Sequence, residues 1–198
     1  MKRILQLVTA AIVWSVVSLA VSPAALADLP YQLITIRNVS LKIPTDWRVT
    51  YQESAKSMHS NGPSFTANLP QKGKPAMQVE LTFLPGEQLT QEYVRNLSNQ
   101  QISELSTTKR LRTQSMLSHL GARLTNWGGL EKRLISNQYA LIEAYTSQPK
   151  SGGSQTRTMG LNLNDGSRSF YLRVRTRQDA EGVRGVDQRI LASLLIRQ

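Results

Sequence analysis

Apolar and polar residues alternate along several runs of this chain, and this two-residue period constrains the fold more than any other feature of the sequence. In residues 77–83 every second side chain is apolar, as in a half-buried β-strand. Residues 156–163 and 167–177 form two further strand-like runs, joined by Asn164-Asp165-Gly166, whose residues tolerate the positive φ of a tight turn. The chain is therefore predicted to form antiparallel strands joined by short turns.

Other runs of the same kind extend this prediction to most of the chain. The remaining predicted strands, in chain order, are residues 34–36, 39–43, 47–51, 63–69, 130–135 and 139–146. Polar and small residues predict a surface loop over residues 52–62 and a mobile hairpin tip at residues 151–154. The second half of the chain is thus expected to form an antiparallel meander.

Helical patterns are fewer. Thr90 can cap a helix that we expect to end at Ser106 or Thr107, with a broad apolar face. Residues 109–120 are ambiguous, because their apolar residues permit a second helix but a strand-like segment over residues 122–124 follows closely. A final helix over residues 186–195 would place Ile190, Leu191, Leu194 and Leu195 against the sheet. The sum is an α+β sandwich, mostly antiparallel, with helices packed on one face.

The first 27 residues have the order of a secretory signal peptide. Lys2 and Arg3 precede an apolar run over residues 4–21, and the triplet Ala25-Leu26-Ala27 follows. We expect cleavage between Ala27 and Asp28, which leaves residues 28–198 as a single domain. The alternative is an uncleaved anchor, because the apolar run is just long enough to cross a bilayer. The chain has no cysteine, which excludes disulfides and lipid attachment through cysteine, and export without disulfides favours a bacterial periplasm.

The charge of the expected mature chain is strongly positive. Only two of the 24 basic residues and none of the 13 acidic residues precede Asp28, so the mature chain has 22 against 13, an excess of nine. Such an excess favours acidic proteins, phospholipid head groups and anionic polysaccharide as partners. Nucleic acid is disfavoured, because a mature protein outside the cytoplasm rarely meets it.

A resemblance to a known fold follows from the order of these elements. Residues 39–47, Val-Ser-Leu-Lys-Ile-Pro-Thr-Asp-Trp, resemble the strand, proline and tryptophan that open domains of the PsbP-like superfamily, which includes PsbP, the Ran-binding Mog family and LpqN- and DcrB-type envelope proteins. The helix after Leu89, the meander around Tyr139 and Phe170 and the closing helix follow in the same order. The resemblance implies a non-enzymatic accessory or binding role, often in assembling or stabilising a larger complex, and no residue-specific site carries over.

Catalytic and metal-binding motifs are missing from the mature chain. His59 and His119 lack a neighbouring acid or histidine at metal-ligand spacing. Two Ser-x-x-Lys matches, beginning at Ser106 and Ser147, lack the companion motifs of that active site, and no Gly-x-Ser-x-Gly elbow is present. We therefore expect no enzymatic activity, no cofactor and no metal. A hydrolase without a recognisable motif remains an alternative.

The most suggestive group of residues is a basic stripe along one predicted strand. Alternation places Tyr171, Arg173, Arg175 and Arg177 on one side of this strand, with successive arginines ~6.6 Å apart, close enough to attract an anion. The alternative is a solvated sheet face on which Glu143 of a nearby strand neutralises one arginine.

These patterns predict three alternative functions. The first is an exported accessory protein that supports assembly or stability of an envelope or membrane-associated complex, and its basic stripe would bind an acidic protein or an anionic envelope surface. The second is a periplasmic carrier of a small apolar or anionic ligand held between sheet and helices. The third is the hydrolase alternative.

Overall fold

A computed structural model describes residues 30–52, 64–69, 76–84, 90–164, 169–179 and 185–197. Several sequence predictions lie outside these residues: the signal peptide with its cleavage site at Ala25, Ala27 and Asp28, His59, most of the 52–62 loop, and the turn residues Asp165 and Gly166.

Ten strands and three helices make up the described part of the chain. The strands are β1 (Tyr31–Ile36), β2 (Val39–Pro44), β3 (Arg48–Gln52), β4 (Ser64–Leu69), β5 (Met77–Leu84), β6 (Ala122–Ile135), β7 (Gln138–Pro149), β8 (Thr156–Asn164), β9 (Ser169–Arg177) and β10 (Leu195–Ile196). The helices are α1 (Gln91–Asn96), α2 (Asn99–His119) and α3 (Val186–Ala192). Within the described ranges, none of these helices has the length and apolar character needed to span a membrane.

Two antiparallel sheets contain all ten strands. The larger has the order β3-β4-β5-β9-β8-β7-β6, and the smaller has the order β1-β2-β10. Strands β6 to β9 are consecutive neighbours, which confirms the predicted meander. Arg37 and Asn38 form the turn that joins β1 to β2.

The main hydrophobic core lies between the two sheets. Alternate residues of β5 and β9 point into it, and Val79 pairs with Val174 and Leu81 with Leu172 across the ladder. The small sheet covers them with apolar side chains such as Leu41, which is fully buried. The other buried apolar residues that meet in this core include Ile34, Ile43, Phe65, Phe83, Leu161, Leu163, Phe170, Val186, Ile190 and Leu194.

A second, smaller cluster lies on the opposite face of the large sheet. Leu141 of β7 points to this face, and Val94, Leu97 and Ile102 of the α1–α2 region pack on it. The α+β class and antiparallel sheets are as predicted. One detail differs, because the helices do not all pack on one face: α1 and α2 lie on one side, whereas α3 joins the main core on the other.

The helices also differ from the sequence prediction in their bounds. The single helix expected from Thr90 is divided at Leu97, and Ser98 starts α2 with a capping box in which Ser98 and Gln101 bond to each other's backbone N–H groups. Helix α2 then continues to His119, so the segment left open over residues 109–120 is helical. The last helix ends at Ala192 instead of Leu195, because Leu195–Ile196 pair with β2 as strand β10.

Strand β6 is longer than the predicted 130–135 segment. It begins at Ala122, and two irregularities in its pairing with β7 interrupt the alternation, between Leu124 and Asn126 and between Trp127 and Gly129. A bulge interrupts the alternation of side chains, so the start of β6 cannot be predicted from a two-residue period. Bulges also protect the edge of a sheet from pairing with other chains.

Helix α2 is attached to this bulged edge strand by one serine hydroxyl. Oγ of Ser106 accepts hydrogen bonds from the indole Nε1 of Trp127 and from the backbone N of Leu130, both at 3.1 Å. The indole ring is stacked on Tyr145, with centroids 6.1 Å apart. Ser106 therefore has a structural role, and this contact holds α2 against β6.

Replacing Ser106 with alanine is expected to lower the free energy of unfolding by about 1–3 kcal/mol, because two partly buried donors lose their acceptor. Chemical denaturation measures the change. Ser103→Ala is the matched control, since Ser103 is exposed on the same helix and should cost less than about 0.5 kcal/mol. Equal costs for the two variants would show that the Ser106 contact does not stabilise the helix on the sheet.

Candidate functional site

The candidate site is the face of the large sheet that carries the arginine stripe. We call this the polar face and define it by the side chains that β5 and β9 direct away from the main core: Gln78, Glu80, Thr82, Tyr171, Arg173, Arg175 and Arg177. Helix α2 lies on the same side but packs mainly on β6, at the edge of the sheet. The central strands β5 and β9 therefore present a broad polar surface beside the helix.

A buried carboxylate lies between the helix and this face. The Glu143 side chain on β7 is only 3% exposed. Its Oε1 accepts a hydrogen bond of 2.6 Å from the hydroxyl of Tyr171, and Nζ of Lys109 on α2 lies 3.5 Å from its Oε2. Oε2 has no hydrogen-bond partner among the described residues, so Lys109 acts on it through charge. Burial, and then the negative charge of Glu143, raise the pKa of Tyr171 well above its usual value, so this hydroxyl stays protonated as a donor.

Gly160 makes room for the Tyr171 side chain. A Cβ atom at position 160 would lie 2.7 Å from Cζ and 2.8 Å from Cε2 of Tyr171 on the neighbouring strand β9, closer than carbon atoms approach in folded proteins. The ring also lies beneath Lys109, whose Nζ is 5.8 Å from its centroid. A glycine in the middle of β8 thus lets Tyr171 reach Glu143.

The three arginines of the stripe each have a different partner. Arg173 forms an ion pair with Glu80, directly opposite on β5. Nη1 of Arg175 donates to Oε1 of Gln78 at 3.2 Å. Arg177 forms hydrogen bonds of 3.0 and 2.6 Å to the Asp179 carboxylate, two residues along the chain.

Glu143 does not neutralise an arginine of the stripe, contrary to the prediction from the sequence. Glu143 was the candidate to balance one arginine, but it binds Tyr171 and Lys109, and Glu80 is the residue that balances Arg173. Glu80 could not be identified because β5 and β9 are about 90 residues apart in the sequence, and only their pairing brings the two charges together.

Arg175 is the charge on this stripe that has no carboxylate partner among the described residues. Burial and the neighbouring charge of Arg173 lower its pKa, although a guanidinium remains protonated at neutral pH. A partly desolvated cation with only an amide partner is an unfavourable arrangement in the isolated domain. An anion that binds beside Arg175 would compensate this charge.

His119, Lys132 and Trp47 each have structural contacts in the described part of the chain. Nδ1 of His119 lies 2.8 Å from the carbonyl oxygen of Ser115, one turn earlier in α2. Nζ of Lys132 donates to the carbonyl groups of Arg95 and Leu97 at the end of α1, and Trp47 is buried in the main core. Across the described ranges, no three metal-ligating side chains come together.

Comparisons with known proteins support a fold and not an activity. No protein-family model matches the chain, and no curated protein matches it in sequence. The solution structure of cyanobacterial PsbP (CyanoP) from Synechocystis sp. PCC 6803 is similar to 86% of this chain and 94% of its own, with a TM-score of 0.57 at 10% identity.

Two other solved structures are similar to this chain at lower TM-scores. LpqN of Mycobacterium tuberculosis, a protein involved in cell envelope biogenesis, matches over 87% of both chains with a TM-score of 0.43 and 14% identity. Mog1 matches over 83% of this chain and 86% of its own, with a TM-score of 0.43 and 8% identity. The similarity to cyanobacterial PsbP, together with the antiparallel architecture, shows that this chain has the PsbP-like fold.

Proposed function

We propose that this chain is an exported, non-enzymatic accessory protein that binds an acidic partner through the polar face and supports assembly or stability of an envelope complex. The observation that carries the proposal is the arrangement of Arg173 and Arg175, two neighbouring guanidinium groups that share one nearby carboxylate, Glu80. The similarity of the fold to PsbP is consistent with an accessory role, although a fold alone does not determine function.

The shape and charge of the polar face favour a protein carboxylate over a small anion. The surface is an open sheet with alternating polar side chains. Binding to it would therefore depend on many weak contacts spread over a large area, as in a protein–protein interface. Arg175 offers N–H donors beyond the one that Gln78 accepts, and a guanidinium binds a carboxylate in a two-pronged geometry. A carboxylate on a partner's surface would thus complete the contacts of Arg175.

The non-enzymatic part of the proposal depends on where the titratable groups lie. The buried Glu143 is engaged by Tyr171 and Lys109, which hold α2 against the sheet, and no described histidine lies in hydrogen-bond contact with it. General acid–base catalysis needs an acid and a base that both face one cavity in which a substrate can bind. The Glu143 cluster is better explained as a link between helix and sheet.

Replacing Arg175 with glutamine tests the proposal at one residue. The variant should retain wild-type thermal stability, because it removes a charge that burial disfavours. Its capture of partners from the native envelope fraction at low salt should fall at least about tenfold, since a charge-assisted contact is lost. Replacing Arg173, Arg175 and Arg177 together with glutamine should abolish capture. Quantitative mass spectrometry of the captured proteins measures both effects.

Arg112→Gln provides the matched control, because Arg112 is exposed on α2 and does not belong to β5 or β9. It removes the same charge and should leave capture unchanged. Capture by the wild-type chain should also weaken at high salt, since screening reduces contacts between charges at a solvated surface. If the same partners are retained by the Arg175→Gln and triple variants, the polar face is not the binding surface.

A further inference from the structure

The opposite side of the large sheet contains a mostly apolar groove that the side chains of the main core leave open. Its volume is about 680 Å³, and it lies between α3 and the corner of the sheet formed by β6, β7 and β8. Ile142, Ala144 and Met159 form its floor, and Leu191 of α3 and Leu194, which follows the helix, form a wall. It is separated from the arginine stripe by the thickness of the sheet, so it is independent of the proposed partner surface.

The register of the strands shows that this groove extends along the strand direction. Arg133 on β6 lies opposite Ala140 of β7, and Arg157 on β8 lies opposite Thr146 of β7. These two positions on β7 are six residues apart, or about 20 Å along an antiparallel strand. Both arginines line the groove, so an elongated apolar surface is bounded by one cation at each end.

The two arginines differ in how firmly they are paired. Arg133 makes a hydrogen-bonded ion pair of 2.8 Å with Glu131 on its own strand, and this bond lowers the pKa of the Glu131 carboxyl. Nη1 of Arg157 is 3.7 Å from Oδ2 of Asp187, which is beyond hydrogen-bond distance. The Arg157 side chain is 48% exposed, so its N–H donors are accessible to a ligand. Arg157 is therefore the better site for an anionic head group.

We propose that this groove binds a fatty acid, with the hydrocarbon chain along β7 and the carboxylate on Arg157. The volume is within the range of roughly 300–1,000 Å³ that is usual for small-molecule sites. The aliphatic and methionine side chains of the lining suit an alkyl chain, and the Arg157 guanidinium, which lies beyond hydrogen-bond distance of Asp187, suits one carboxylate. The elongated shape favours a single chain over a compact ring system.

Isothermal titration calorimetry with laurate tests the site in the protein as purified from its native cells. We expect one laurate per chain, at least about tenfold weaker binding in Arg157→Gln, and unchanged binding in the control Arg112→Gln. Ala144→Leu, which fills the floor, should abolish laurate binding while the circular dichroism spectrum and melting temperature stay close to wild type. The neutral alcohol dodecanol should bind at least about tenfold more weakly than laurate.

Three results would overturn the proposal. Equal binding of laurate and dodecanol would show that Arg157 does not recognise a carboxylate. Laurate binding that Ala144→Leu leaves unchanged would place the ligand elsewhere on the protein. Analytical ultracentrifugation could find a dimer for the wild-type chain and a monomer for Ala144→Leu. That result would show that a second copy of the chain occupies the groove.

Discussion

The pairing of β5 with β9 is the contact on which the rest of the structure depends. It joins the first half of the chain to the meander of the second half and places both strands at the centre of the large sheet. Because each strand alternates, one register fixes two surfaces at once: Leu81 and Leu172 meet in the core, whereas Glu80 and Arg173 meet on the polar face. A shift of one residue would exchange these surfaces and bury the charges.

The Glu143 cluster has a complementary role at the edge of the sheet. Burying a carboxylate is unfavourable unless charge and hydrogen bonds compensate it, and Lys109 and Tyr171 supply these from α2 and β9. Ser106 adds a second contact between α2 and β6. Together they hold the helix over the edge strands, which leaves the centre of the polar face accessible and α3 as the only described helix on the groove side.

Local sequence patterns predicted the positions of the strands better than the contacts that each strand makes. Alternation located β5, β8 and β9, and the side of β9 that carries the arginines was also predicted, because these features depend only on neighbouring residues. The bulges that conceal the start of β6 and the pairing of Glu80 with Arg173 depend on contacts between distant segments. The groove could not be predicted either, since α3 approaches β7 only in the folded chain.

Site-specific photo-crosslinking in the cell of origin tests most directly whether the polar face meets a partner. A photoreactive side chain at Thr66 would lie on this face, beside Glu80, because its neighbours Phe65 and Ala67 point into the core. It should give a discrete crosslinked product, whereas the same side chain at Leu33, which is exposed on the small sheet, should give none. A product from Leu33 and none from Thr66 would contradict a partner surface on the polar face.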